Sequence, residues 1–214
     1  MHFLLPWLKP SAVTITTHTG GLAQTNGYLL ESEQGTIAID APFGMWACCQ
    51  QRGIIPTGLL LTHQHFDHVE DAAAMARAGV PIHGCSPFSS ALVLDEAARL
   101  MGLPITVEPF AVDHLLEDTT WLELAGVRFE LLAVPGHSPD SFVFHVALFQ
   151  KLFAGDTLFA DSIGRTDLPG GNHALLIAGI RERLLTLPAQ TEVHPGHGPP
   201  TTIGREAATN PFLS

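Results

Sequence analysis

The segment GLLLTHQHFDHVEDAAA (residues 58–74) restricts the possible folds more than any other stretch of the chain. An apolar, strand-like run passes almost directly into four potential metal ligands, His63, His65, Asp67 and His68, and then into an alanine-rich helix former. In an extended chain alternate side chains share a face, so His63, His65 and Asp67 can point the same way. His68 departs from that alternation as the chain turns into a helix expected to begin near Val69. One short loop can therefore offer two ligands to one metal and two to a neighbour. It cannot close a cage alone, so the remaining ligands must come from elsewhere.

Three further pieces follow β-prone runs, where a rigid scaffold can hold a ligand in place. They are VPGHSPDS (134–141) with His137, LFAGDTLF (152–159) with Asp156, and VHPGHGPP (193–200) with His197. Each candidate directly follows a glycine, which lets the backbone turn sharply. The set of histidines and aspartates is a nitrogen and oxygen donor set suited to Zn²⁺, Fe or Mn²⁺, and it lacks the thiolates of a structural zinc site.

The 214 residues, 46% apolar and 14% charged, suit a single domain over residues 1–214 with a sizeable core rather than a disordered chain. A net charge of −11 with no Lys/Arg-rich run argues against nucleic acid as a partner. Bound divalent cations would offset part of that negative charge. No apolar run is long enough for a membrane span, and MHFLLPWLKPSAV lacks the charged start of a signal peptide. Cys48, Cys49 and Cys85 make a poor disulfide framework and read as free thiols of a cytoplasmic protein. Strands are expected at 12–17, 26–32, 35–40, 58–63, 80–84 and 191–198, and helices at 69–79, 87–102 and 173–187. Such strand-rich halves, each carrying helices, fit two sheets packed face to face with helices outside, or one mixed sheet flanked by helices.

THQHFDH, PGHS, GDTLF, IGRTDLPGG and PGHGP, in this order, resemble the motifs of the metallo-β-lactamase superfamily, and within it the glyoxalase II (hydroxyacylglutathione hydrolase) group. The resemblance spans roughly residues 12–213 and implies an α/β, four-layer αββα sandwich with a two-metal site at one edge of the sheets. By similarity His63, His65 and His137 would hold the first divalent ion, Asp67, His68 and His197 the second, and Asp156 would bridge them. The implied activity is hydrolysis of a small-molecule thioester, S-D-lactoylglutathione foremost, by a metal-bridging hydroxide that Asp67 orients. Bridging Asp156 argues against the β-lactamases, and the net charge against the nucleases. Many lactonases use a tyrosine near the metals, whereas Tyr28 lies early in a strand. A persulfide dioxygenase would hold one iron through His63, His137 and Asp156. A metal-binding module without catalysis is the reading of a different class. The longer glyoxalase II enzymes continue into a helical region that supplies basic residues to glutathione. This chain ends soon after His197 and so resembles the short bacterial type, leaving Arg165 as the expected contact for a substrate carboxylate.

Other polar residues carry no motif. His145 reads as a strand residue, and His83 and His194 as structural. Asp40, ending GTIAID, could orient a metal ligand or stabilise a turn. Glu70 and Asp71 could tune metal affinity or favour the N-terminus of the following helix.

Overall fold

The computed structural model describes residues 12–213. The first sheet consists of β1 (Thr14–Gly20), β2 (Thr25–Ser32), β3 (Gly35–Ile39), β4 (Gly58–Leu60), β5 (Ile82–Gly84) and β6 (His114–Leu115), in that spatial order. Its first three strands form an antiparallel meander, and the pairings from β3 onward are parallel. Parallel neighbours need crossovers. Helix α1 (Met45–Gln51) lies in the connection between β3 and β4, and α2 (Phe66–Val69) and α3 (Ala72–Arg77) lie in that between β4 and β5. Helices α4 (Ser90–Val93) and α5 (Asp95–Leu100) precede β6.

The second half continues with β7 (Trp121–Leu124), β8 (Val127–Ala133), β9 (Phe142–Val146) and β10 (Lys151–Gly155). A small hairpin of β11 (Leu158–Phe159) and β12 (Ser162–Ile163) follows. Next come α6 (His173–Gly179), which runs on as a π-helical turn (Ile180–Leu184), then β13 (Glu192–Pro195), β14 (Thr201–Thr202) and α7 (Ile203–Thr209). The second sheet has the order β14-β13-β10-β9-β8-β7.

Period-two patterning decides the layers. Tyr28, Leu30, Ile37, Ile39 and Leu60 from the first sheet pack with Phe129, Phe142, Phe144 and Phe153 from the second. The intervening Leu29, Ala38 and Leu59 face the other way, against Met45, Cys49, Ala72 and Met75 of the helices. On the far side Val143, Leu152, Ala154 and Val193 meet Leu176, Ile180 and Leu184. Two sheets buried on both faces require helices outside each, giving the αββα sandwich rather than one mixed sheet.

Several local expectations are corrected. The strand expected over 58–63 ends at Leu60, and Asp67 sits in α2, so strand alternation does not carry past the loop. The single helix expected at 69–79 is two, because Glu70 and Asp71 turn back to the preceding helix instead of supporting the one that follows. Glu70 Oε2 accepts from Phe43 N at 3.2 Å, and Asp71 Oδ2 from Trp46 N at 2.8 Å, near the start of α1. The helix expected at 87–102 breaks at Leu94, which is left-handed at φ 59°. His145 does lie buried in β9, its Nδ1 2.9 Å from Glu130 Oε2.

Phe144 is fully buried between the sheets. Phe144→Ala is expected to lower unfolding free energy by about 3–5 kcal/mol in urea titration. Phe43→Ala, at a ring 64% exposed, is expected to change it by less than about 0.5 kcal/mol.

Candidate metal centre

The candidate ligands converge at one edge of the sandwich, on loops that leave the strand ends of both sheets. β4 delivers the chain to Thr62, and Asp40 at the end of β3 fixes it there. Asp40 Oδ1 accepts from Thr62 N at 2.8 Å, and its Oδ2 from Thr62 Oγ1 at 2.8 Å. The same Oδ2 lies 2.8 Å from His68 Nδ1, which orients that ring and leaves Nε2 toward the centre. Asp40 therefore both anchors the chain after β4 and orients a candidate ligand.

His63 and His65 project from the loop, whereas Asp67 and His68 are consecutive residues of α2. That change from loop to helix divides the four between two neighbouring positions. One nitrogen each of His63, His65 and His137 lie within 4.8 Å of one another, and so do ligand atoms of Asp67, His68 and His197. A third group, His63, His68 and Asp156, takes one residue from each and places Asp156 between them. His197 Nε2 is 3.3 Å from both Asp67 Oδ2 and Asp156 Oδ2, and His137 Nε2 is 3.5 Å from Asp156 Oδ2.

Thr25, Asn26 and Asp140, which carry no motif, and Tyr28 and Arg165, in roles other than those expected, hold these groups in place. Thr25 Oγ1 donates to Asp67 Oδ2 at 2.6 Å. Asn26 Nδ2 donates to Pro195 O and Gly198 O, and Tyr28 Oη to Pro195 O, stitching the His197 loop to β2. Asp140 accepts from Gln64 N at 3.0 Å and so ties the His63–His65 loop to the His137 loop. Arg165 contributes through its main chain, its carbonyl lying 2.8 Å from His137 Nδ1. Its guanidinium forms a two-pronged pair with Asp167 at 2.8 and 2.7 Å. The close approach of chains also explains one glycine: a Cβ on Gly196 would stand 2.1 Å from Asp156 Oδ1 and 2.7 Å from His68 Cε1.

The electrostatics divide the centre into two halves. Burial drives the His63 imidazole well below its ordinary pKa, and the neighbouring imidazoles act in the same direction. Burial, reinforced by His137, brings His65 to about 3. Both rings are therefore neutral, the form that ligates. Around His68 burial again opposes charge, but Asp67, Asp40 and Asp156 outweigh it and raise the ring well above its usual value. His197 rises to about 10 because contacts with Asp156 and Asp67 overcome burial. Asp67 is held at about 2 by His68 and His197 against the opposing effect of burial. Protons on His68 and His197 thus compensate the carboxylates where a bound cation would displace them.

The donor set fits such cations. His63 Nε2, His68 Nε2, His137 Nε2 and Asp156 Oδ1 are all buried without a hydrogen-bond partner. The His68 Nε2–Asp156 Oδ1 pair is 3.3 Å apart but not aligned for a hydrogen bond. Leaving a buried polar atom unsatisfied costs about 1–3 kcal/mol, so four at one point mark a place where something binds. His194 Nε2 is also buried without a partner, but it belongs to none of these groups and its ring stacks on Phe153; His83 stacks on His114.

The profile of the Metallo-beta-lactamase superfamily matches residues 20–197. The hydroxyacylglutathione hydrolase GloC of Haemophilus influenzae is 41% identical over 160 residues, 73% of this chain and 75% of that protein. Among solved structures, TTHA1623 in a di-iron-bound form has a TM-score of 0.81 at 42% identity, covering 92% of this chain and all of that one. The BLEG-1 B3 metallo-beta-lactamase has a TM-score of 0.84 at 36% identity, covering 94% and 100%. A profile that runs from the end of β1 to His197, over a sandwich with a His/Asp metal-binding cluster at its edge, shows that the chain belongs to the metallo-β-lactamase superfamily.

Proposed function

We propose that the chain is a metal-dependent hydrolase of thioesters, with S-D-lactoylglutathione or a related acyl thioester as its substrate. The observation that carries this reading is the pair of complete ligand triads with Asp156 between them, opening on one cavity. His63, His65 and His137 would hold one divalent ion, Asp67, His68 and His197 the other, and Asp156 would touch both. When bound, two such ions polarise a carbonyl and acidify a shared water.

The residues around the cavity favour a thioester. Its titratable lining consists of His65, Asp67, His137, Asp156, His197 and Arg165. Every one except Arg165 is a candidate ligand, so among the described residues no separate side chain waits to protonate a leaving group. A thiolate, with an ordinary thiol pKa near about 8.5, leaves without that help, whereas an amine does not. Asp67, positioned by Thr25, accepts a hydrogen bond from the attacking water and aims it. Among the described residues no serine or cysteine lines the cavity, and burial pushes the Cys49 and Cys85 thiols up to about 11, so neither is an activated nucleophile. Tyr28, the only tyrosine, is engaged with Pro195 O at 2.6 Å and leaves the lactonase reading without its phenol. The GloC relationship supports the choice of S-D-lactoylglutathione as the first substrate to test. The likeness to BLEG-1 favours a second reading, β-lactam hydrolysis, which requires departure of an amide nitrogen.

Metal-loaded protein is expected to release free thiol from S-D-lactoylglutathione, to lose that activity on chelation, and to turn over a chromogenic cephalosporin at least about 100-fold more slowly. Asp67→Asn should lower kcat by about 100-fold or more. Absence of thiol release with both positions loaded, or one iron per chain with O₂ uptake on a persulfide, would overturn the reading. Asp40→Asn retains the side chain's shape but sets an amide against His68 Nδ1. It is expected to weaken metal binding about 10- to 100-fold in competition with a chromogenic chelator, while His83→Ala leaves it unchanged.

A further inference from the structure

The cavity over the metal centre, about 250 Å³, is apolar along one side. Leu94, Ala97, Met101 and Leu103 line it from α5 and its flanks, with Phe66 and Leu168 also in the wall. We infer that this wall selects thioesters with an apolar acyl chain, which lies along α5 when the carbonyl is at the metal centre. The inference rests on the thioester reading above and names its substrate class.

Three observations carry it. First, Leu94 holds a left-handed conformation at φ 59°, ψ 16°, a region a branched side chain rarely adopts. The break it makes between α4 and α5 accompanies the placing of its side chain in the cavity wall, where the strained residue contributes apolar surface. Second, Leu100 and Met101 are 84% and 71% exposed, so the C-terminal end of α5 presents large apolar side chains to water beside the cavity. Third, among the described residues the wall has no spare positive charge for a carboxylate-bearing limb. Apart from the candidate metal ligands, Arg165 is the one cation among the described lining residues, and both prongs of its guanidinium are on Asp167. Arg99, the one cation of α5, bonds Asp95 Oδ2 at 2.6 Å and Ile105 O at 3.3 Å. A charged limb placed here would lose water and gain no partner, whereas methylene groups would lose only water.

The test compares acetyl-, butanoyl-, hexanoyl- and D-lactoyl-glutathione on the metal-loaded protein, all with the same thiol. Across the unsubstituted chains kcat/KM is expected to rise about tenfold or more from acetyl to hexanoyl, with hexanoyl preferred to lactoyl. Leu94→Asn keeps a residue that tolerates the left-handed turn, and Met101→Lys changes an exposed position. Each is expected to cut the hexanoyl-to-acetyl ratio about fivefold. Calorimetric binding of hexanoate against acetate to the loaded protein supplies a readout that needs no turnover, with hexanoate expected about tenfold tighter and Leu94→Asn removing the difference. Equal kcat/KM across the chains with equal binding of the two carboxylates would overturn the inference while leaving thioester hydrolysis standing. Tighter hexanoate binding without hydrolysis of any thioester would sustain the apolar wall and overturn the thioester reading instead.

Discussion

The carboxylate of Asp40 is the constraint on which the metal centre depends. It stands at the end of β3 in a left-handed conformation, φ 57°, which aspartate tolerates better than most residues. From there it binds the backbone and hydroxyl of Thr62 and the Nδ1 side of His68. Three consequences follow from one side chain: the loop after β4 leaves the sheet at a fixed point, α2 is held against the strand ends, and the His68 ring has one nitrogen committed. The charge matters as much as the shape. Asp40 lies at the buried base of His68, and with Asp67 and Asp156 it makes a cation the favoured occupant of a place where burial alone would expel charge.

What the sequence made legible follows from how local the information is. His63, His65, Asp67 and His68 announce themselves because four candidate ligands share a short segment, and His137, Asp156 and His197 because each follows a glycine at a strand end. The sheets are legible through short β-prone runs between turn residues, as at β2 and β3. Thr25, Asn26, Asp140 and the Arg165 carbonyl were not legible, because each acts on a residue far away in the chain, and threonine, asparagine or a main-chain oxygen carries no spacing signature. Elements that break from within were misread for a related reason. The acids at 70 and 71 look like a helix start, and only the packed structure shows that they accept from the backbone near the start of α1 instead. Leu94 gives no warning of its left-handed turn, since leucine is a strong helix former and the break is imposed by tertiary context.

The short helix α2 decides how the four clustered candidate ligands are divided. Had the extended conformation continued through Asp67, His63, His65 and Asp67 would share a face. Helical geometry at Phe66–Val69 instead turns Asp67 and His68 toward His197, while His63 and His65 stay with His137. The same division appears in the electrostatics. The His63 and His65 half is dominated by desolvation and holds neutral rings, and the other half is dominated by carboxylates and holds protons.

The placement of the candidate ligands would also tie metal binding to the cohesion of the sandwich. His63, His65, Asp67 and His68 hang from the first sheet, and His137, Asp156 and His197 from the second. The sheets already meet here through the Thr25–His197 bridge, through Asn26 and Tyr28 on the Pro195–Gly198 turn, and through Asp140 on the backbone of Gln64. Each candidate triad draws on both sheets, so an ion held by either one would cross-link the layers and add its binding free energy to folding. The polar stitches hold the two strand-end loops in register, and Gly196 lets them approach to van der Waals distance. A centre assembled from both layers in this way has its geometry set by sheet packing, which is far stiffer than any of the loops that carry the ligands.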